Sequence, residues 1–169
     1  MTIERPDEIQ IENARLIYRN FKGEGSRYNA EGNRNFSVRL TMEKAAALRN
    51  KGWNVKFPKQ PEDGKFEREP FLTVAVKFGR IEELWPQVYV KSSRVAAPVK
   101  YTEDMLKELD SADLEKVDLI IRPRMWTDDA TGETHVKAYL NKMYVTLAQD
   151  KFYDEFFGTE SLSSDMPWD

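Results

Sequence analysis

Within fourteen positions the chain sets out Arg15, Arg19, Phe21, Lys22, Arg27 and Tyr28. Guanidinium and ammonium groups neutralise phosphates, and flat rings offer faces on which unpaired bases stack. That mixture is the chemistry a single-stranded polynucleotide requires. Arg34, Arg39, Trp53, Lys56 and Phe57 continue the pattern, and Arg122, Arg124 and Trp126 repeat it later. Tyr28, Trp53 and Trp126 are the candidate stacking platforms. For any one ring the competing fate is burial in a core, with the bases left as a solvated outer face.

Other chemistry is poorly supplied. Asp110, Asp113, Glu115 and Asp118 come nearest to a divalent-metal nuclease site. They follow a short helical pattern, however, and read as its solvated face. Asp128 and Asp129 fall in a turn, where aspartate is favoured for local backbone hydrogen bonds. The single histidine, His135, reads as a surface strand residue, and Gly23-x-Gly25 lacks the Lys-Ser/Thr of a phosphate loop. The absence of Cys removes thiolate chemistry, disulfides and Cys-based zinc sites. The expectation is a non-enzyme without metal or cofactor.

Charge is distributed unevenly. The formal net charge is −3, yet residues 13–61 hold 11 bases and 3 acids. Residues 103–118 reverse the balance with 7 acids and 2 bases, and residues 150–169 hold 6 acids and 1 base. The last stretch ends Asp165-Met166-Pro167-Trp168-Asp169, an acidic tail with an aromatic tip. Such a tail suits competition for a polyanion-binding surface, or recruitment of a partner protein. No apolar run approaches a membrane span and no signal-peptide pattern opens the chain, so a cytoplasmic protein is expected.

These residues need elements to hold them. Ala14–Phe21 alternates, with Leu16 and Tyr18 facing one way and Arg15, Ile17, Arg19 and Phe21 the other. Residues 22–32 form a glycine-rich, mobile loop. Phe36, Val38 and Leu40 point inward from the next strand, with Ser37 and Arg39 outward. Thr41 caps a helix over Met42–Asn50 that ends at Gly52. Strands are expected over Trp53–Phe57, over Phe71–Phe78 (Leu72, Val74, Val76 and Phe78 on one face) and over Gln87–Lys91. Thr102 caps a short helix, Glu103–Leu109. Residues 117–125 and 133–147 flank a turn at Asp128–Gly132. Short strands with too few helices to cover an open sheet favour a closed or partly open β-barrel.

The segments Gly32-Asn33-Arg34-Asn35-Phe36-Ser37-Val38 and Gly52-Trp53-Asn54-Val55-Lys56 resemble those of phage and prophage single-stranded DNA-binding proteins. So do Phe71–Val76, Val117–Pro123 and Lys137–Leu140. The resemblance implies a mainly β, OB-fold-like five-stranded Greek-key barrel with one or two short helices, a long β-hairpin and a flexible acidic C-terminal tail. It implies binding of single-stranded DNA, with duplex DNA and a homo-oligomer left open, in phage replication or recombination. The expected division is a flexible N-terminal arm over 1–10, the OB-like domain over 11–150 and the tail over 151–169. The tail resembles the acidic tip of bacterial single-stranded DNA-binding proteins, where Ile-Pro-Phe ends the chain; here Asp169 follows Met166-Pro167-Trp168. A phage structural or protein-interaction β-barrel is the main rival, and a metal-dependent nuclease the lesser one.

Overall fold

A computed structural model describes residues 4–62, 64, 68–92 and 97–148. The tail expected over 151–169 lies outside the described residues.

In chain order the strands are β1 (Ile9–Ile11), β2 (Leu16–Asn20) and β3 (Arg34–Arg39), then the helix α1 (Met42–Asn50). After it come β4 (Val55–Lys56), β5 (Phe71–Val76), β6 (Gln87–Ser92), β7 (Val99–Tyr101), β8 (Leu114–Thr127) and β9 (Thr134–Leu147). Short 3₁₀ helices cover Glu82–Leu84 and Glu103–Asp110.

The long hairpin is the spine. β8 and β9 pair from Leu114 opposite Leu147 to Thr127 opposite Thr134. Its turn forms where expected. The Asp128 carboxylate accepts the Ala130 N–H at 2.8 Å, and Gly132 takes the left-handed conformation (φ 74°) that a side chain would resist.

A barrel closes around this hairpin. β1 lies antiparallel on β8, and the Ala14 N–H donates to the Val117 carbonyl at 2.7 Å before the same chain continues as β2. β1 and β2 are thus two halves of one bent strand, with Asn13 (φ 53°) at the bend. β2 pairs with β3, β3 with β5, and β5 runs parallel to β9 at Val74–Ala138 and Ala75–Tyr139. The circuit β1/β2–β3–β5–β9–β8 returns to its start, a five-stranded Greek-key arrangement. The 3₁₀ helix Glu103–Asp110 packs against β2 and β7 and drives Leu106 and Leu109 into the core. β6 and β7 form an added hairpin, β6 lying parallel to the far half of β9.

The predicted alternation holds in β3 and β5: Phe36, Val38, Leu72, Val74 and Val76 are buried. The helix starts and stops as read, with Thr41 Oγ1 accepting the Lys44 N–H.

Several expectations need correction. Ser37 shares the outer face with Thr73, opposite it, but is buried there rather than solvated, and the two hydroxyls hydrogen-bond at 3.0 Å across the sheet. Thr102 makes no side-chain cap, because the helix it opens is 3₁₀ and begins with Met105 N–H to the Thr102 carbonyl. Phe78 lies beyond the end of β5 and is half-buried. Of the strand expected over Trp53–Phe57, only Val55–Lys56 forms. Within the segment expected as a flexible arm over 1–10, Ile9 pairs with Ile121 in β1 and Glu8 accepts from the Asn141 amide.

In β2 a bulge between Ile17 and Asn20, with Tyr18 at φ 50°, breaks the period of two. Tyr18 swings out to 71% exposure while Phe21 turns fully inward.

Candidate nucleic-acid interface

The loop joining β2 to β3 is pinned at its base from two sides. The Asp110 carboxylate accepts the N–H groups of Phe21 and Lys22 at 2.6 and 3.1 Å. The Arg34 guanidinium donates to the carbonyls of the same two residues at 2.7 and 2.9 Å, and pairs with Glu103 at 3.3 Å. Arg19 donates to the Leu109 and Ala112 carbonyls at 2.8 and 2.7 Å. Gly23 (φ 75°) makes the first bend, where a Cβ would press on the Gly32 backbone at 3.1 Å. Within the loop, Asn29 Nδ2 donates to the Glu24 and Asn33 carbonyls and the Glu31 carboxylate accepts the Gly25 N–H. The loop expected to be mobile is closed by its own polar groups. It presents Tyr28 at 90% exposure, with the Arg27 guanidinium 5.9 Å from the ring centre.

Beside this loop the outer face of β3 and β5 is built from short side chains. Asn35 lies opposite Ala75, and Ser37 opposite Thr73. Asn35, Thr73 and Ala75 floor a groove of about 560 Å³, lined also by Lys77, Lys137 and Tyr139. Register then sets Arg122 opposite Tyr139, Arg124 opposite Lys137 and Trp126 opposite His135 along the hairpin. Arg122 and Arg124 lie 4.9 and 5.6 Å from the Tyr139 ring centre, within cation–π range.

Burial pushes the Arg122 guanidinium below its ordinary pKa. The Tyr139 phenol opposes that shift, Arg124 and Arg5 add to it, and Glu8 opposes it weakly. The group stays cationic at neutral pH, since arginine starts so high. Its buried Nε has no hydrogen-bond partner among the described residues. The carboxylate on the groove wall, Glu103, is already held by Arg34. Trp126, half exposed at the hairpin mouth, stacks on His135 at 5.5 Å and 29°.

A wider cleft of about 900 Å³ lies between the end of α1 and the hairpin turn, lined by Arg49, Lys56, Phe57 and His135 among others. Asn54 borders both cleft and groove. The Arg49 guanidinium covers the Phe57 ring at 5.2 Å.

The predicted residues therefore divide. Arg27 and Tyr28 on the loop, Lys56 by the cleft, and Arg122, Arg124 and Trp126 on the hairpin border this surface; Lys22 is exposed at the loop base. Phe21 and Trp53 do not present a face to a base. Phe21 is fully buried and stacks on Phe36 at 5.1 Å, and Trp53, 2% exposed, packs in the core beside Val136. Arg19 and Arg34 spend their donors on backbone carbonyls. Arg15 and Arg39 both face Glu69, at 3.3 and 3.9 Å.

Sequence reasoning passed over Asn35, Lys77, Lys137 and Tyr139. The signal was present for the last two: Val136, Ala138 and Leu140 alternate inward, which turns Lys137 and Tyr139 outward opposite Arg124 and Arg122. Among the acids, Asp110 pins the loop, and Asp118 accepts the Asn13 N–H at 3.0 Å and pairs with Lys116 at 3.8 Å. No group of three or more His, Cys, Asp or Glu able to hold a metal occurs among the described residues.

A Greek-key barrel whose groove crosses its second and third strands, between the first loop and the last hairpin turn, is an OB-type barrel. That face and those two loops are where the class takes oligonucleotides and oligosaccharides. The family model described as "Putative phage ssDNA-binding domain" matches residues 1–163, and the chain belongs to that family. No curated protein matches the sequence significantly. Solved structures of the single-stranded DNA-binding protein from bacteriophage Enc34 share the fold. Its C-terminal truncation aligns with TM-score 0.52 at 13% identity, over 85% of this chain and 87% of that one. Its complex with ssDNA aligns with TM-score 0.52 at 12% identity, over 85% and 88%.

Proposed function

We propose that this protein binds single-stranded DNA in phage replication or recombination, without catalysis and largely without regard to sequence. The observation that carries the reading is the groove over β3 and β5, whose one lining carboxylate among the described residues, Glu103, is paired with Arg34 and whose flank carries Lys77, Lys137, Arg122 and Arg124. Phosphates take these cations. Bases lie over the short floor residues, and Tyr28 and Trp126 offer rings at the two ends. Stacking accepts any base, because every base has a π-face, so sequence matters little. The Enc34 protein of the same fold has been captured with ssDNA, which supports the reading.

The test is an oligo-dT titration across ionic strength. The logarithm of affinity falls linearly with the logarithm of salt, with slope near −0.7 per phosphate neutralised. An affinity indifferent to salt sinks the electrostatic account.

For the acidic tail ending Met166-Pro167-Trp168-Asp169, the reading is competition for the same cations or recruitment of replication proteins in the host cytoplasm. Deleting residues 158–169 should tighten ssDNA binding at low salt if competition operates. Unchanged affinity leaves recruitment alone.

A further inference from the structure

We propose that Tyr89 and Tyr144 form a second nucleobase-stacking platform, outside the groove, where the β6–β7 hairpin extends the sheet. The proposal rests on the single-stranded DNA reading and lengthens the path the strand takes. β9 runs for 14 residues, and two neighbours share its far edge. Its first half meets β5 at Ala138 and Tyr139; from Lys142 onward it pairs with β6. Val88, Val90, Met143 and Val145 are buried beneath, so Tyr89 and Tyr144 project from the outer face. The register shift between Ile120 and Ile121 absorbs an odd residue. It brings Lys142 and Tyr144 onto the same side as Lys137 and Tyr139.

The two rings lie side by side, 5.4 Å between centres and 13° from parallel, and Tyr144 is 45% exposed. A third flat ring extends such a stack. The surroundings favour a polyanion over a protein partner. Lys100 pairs opposite Tyr89, while Lys142 and Lys91 lie two positions away on β9 and β6. Lysine is depleted from the cores of protein interfaces. The one acid in the row, Asp118, is engaged by the Asn13 N–H and Lys116. Across the register shift, Tyr139 to Tyr144 spans the same length as Arg122 to Asp118 opposite, roughly 14 Å at about 3.4 Å per strand residue. A strand leaving the groove past Arg122 meets Lys142 on the way.

The experiment is fluorescence anisotropy with oligo-dT of increasing length on the full chain, comparing wild type with Tyr144→Thr and Tyr144→Phe. Threonine keeps a β-favouring side chain at an exposed site, so the variant folds. The shortest oligomers that bind wild type should bind Tyr144→Thr equally well. Longer ones should lose roughly 5- to 150-fold, as loss of one stacked base implies, and Tyr144→Phe should restore them. An effect equal at all lengths, or none at any, overturns the platform while leaving the groove intact. So does unchanged affinity with altered sedimentation, which would make the tyrosines a protein contact. If wild type binds no oligomer of any length, the single-stranded DNA reading itself fails, a distinct result.

Discussion

Replacing Arg124 and Lys137 together by glutamate lowers single-stranded DNA affinity by roughly 10²- to 10⁴-fold. The two residues face each other across β8 and β9 on the outer face, beside the groove. A hydrogen bond to a charged group contributes about 1.5–3 kcal/mol, so two lost phosphate contacts come to about 3–6 kcal/mol, which is that fold-change. Carboxylates in their place repel phosphate and hold the effect at the upper end. The log–log salt dependence should become shallower by about 1.4, twice the increment per phosphate. Both side chains are exposed, so the thermal transition should move little. Arg15→Glu is the matched control. Arg15 lies with Glu69 rather than on the groove, and its reversal should change affinity several-fold at most. Affinity of the double variant within twofold of wild type would remove the groove from the binding surface.

The second large effect is on stability. Trp53→Ala should cost about 3–5 kcal/mol, the range for deleting a buried tryptophan, out of a typical total of about 5–15. Trp53 is 2% exposed and bridges to Val136 of the hairpin, while the backbone on either side of it bonds that same residue. Its loss opens a void between α1, β4 and β9. Urea unfolding measures the cost directly. The same placement makes an optical prediction: Trp53→Phe retains the fluorescence quenching produced by oligo-dT, and Trp126→Phe removes most of it. If quenching vanished with Trp53 instead, the ring would have to face the DNA, against its burial.

The fate of Trp53 shows where local reading stops. Its neighbours Lys56 and Phe57 are exposed as a basic-aromatic pattern implies while Val55 is buried, so the residues close by point Trp53 both ways. The direction is set by Val136, brought alongside from more than eighty residues downstream. Phe21 is similar. Strict alternation places it with Arg19, and the bulge at Tyr18 reverses the face, exposing a tyrosine and burying a phenylalanine. Arg19 and Arg34 look like phosphate ligands in sequence because a guanidinium suits either a phosphate or a carbonyl. Their partners, Leu109, Ala112 and Glu103, arrive only when the 3₁₀ helix docks under the loop.

What the chain's own order of residues determined is everything governed by short range. The Thr41-capped helix, the Asp128–Gly132 turn, the buried faces of β3 and β5 and the row Arg122, Arg124, Trp126 all follow from φ preferences, capping and a period of two. Those rules act over a few residues. Only the tertiary structure decided how the barrel closes through the bend at Asn13, where β6 and β7 attach, and which cations stay on the groove. Each of those depends on a hydrogen bond or packing contact made across a large part of the chain, and a side chain's chemistry names what it can bind without naming which partner reaches it first.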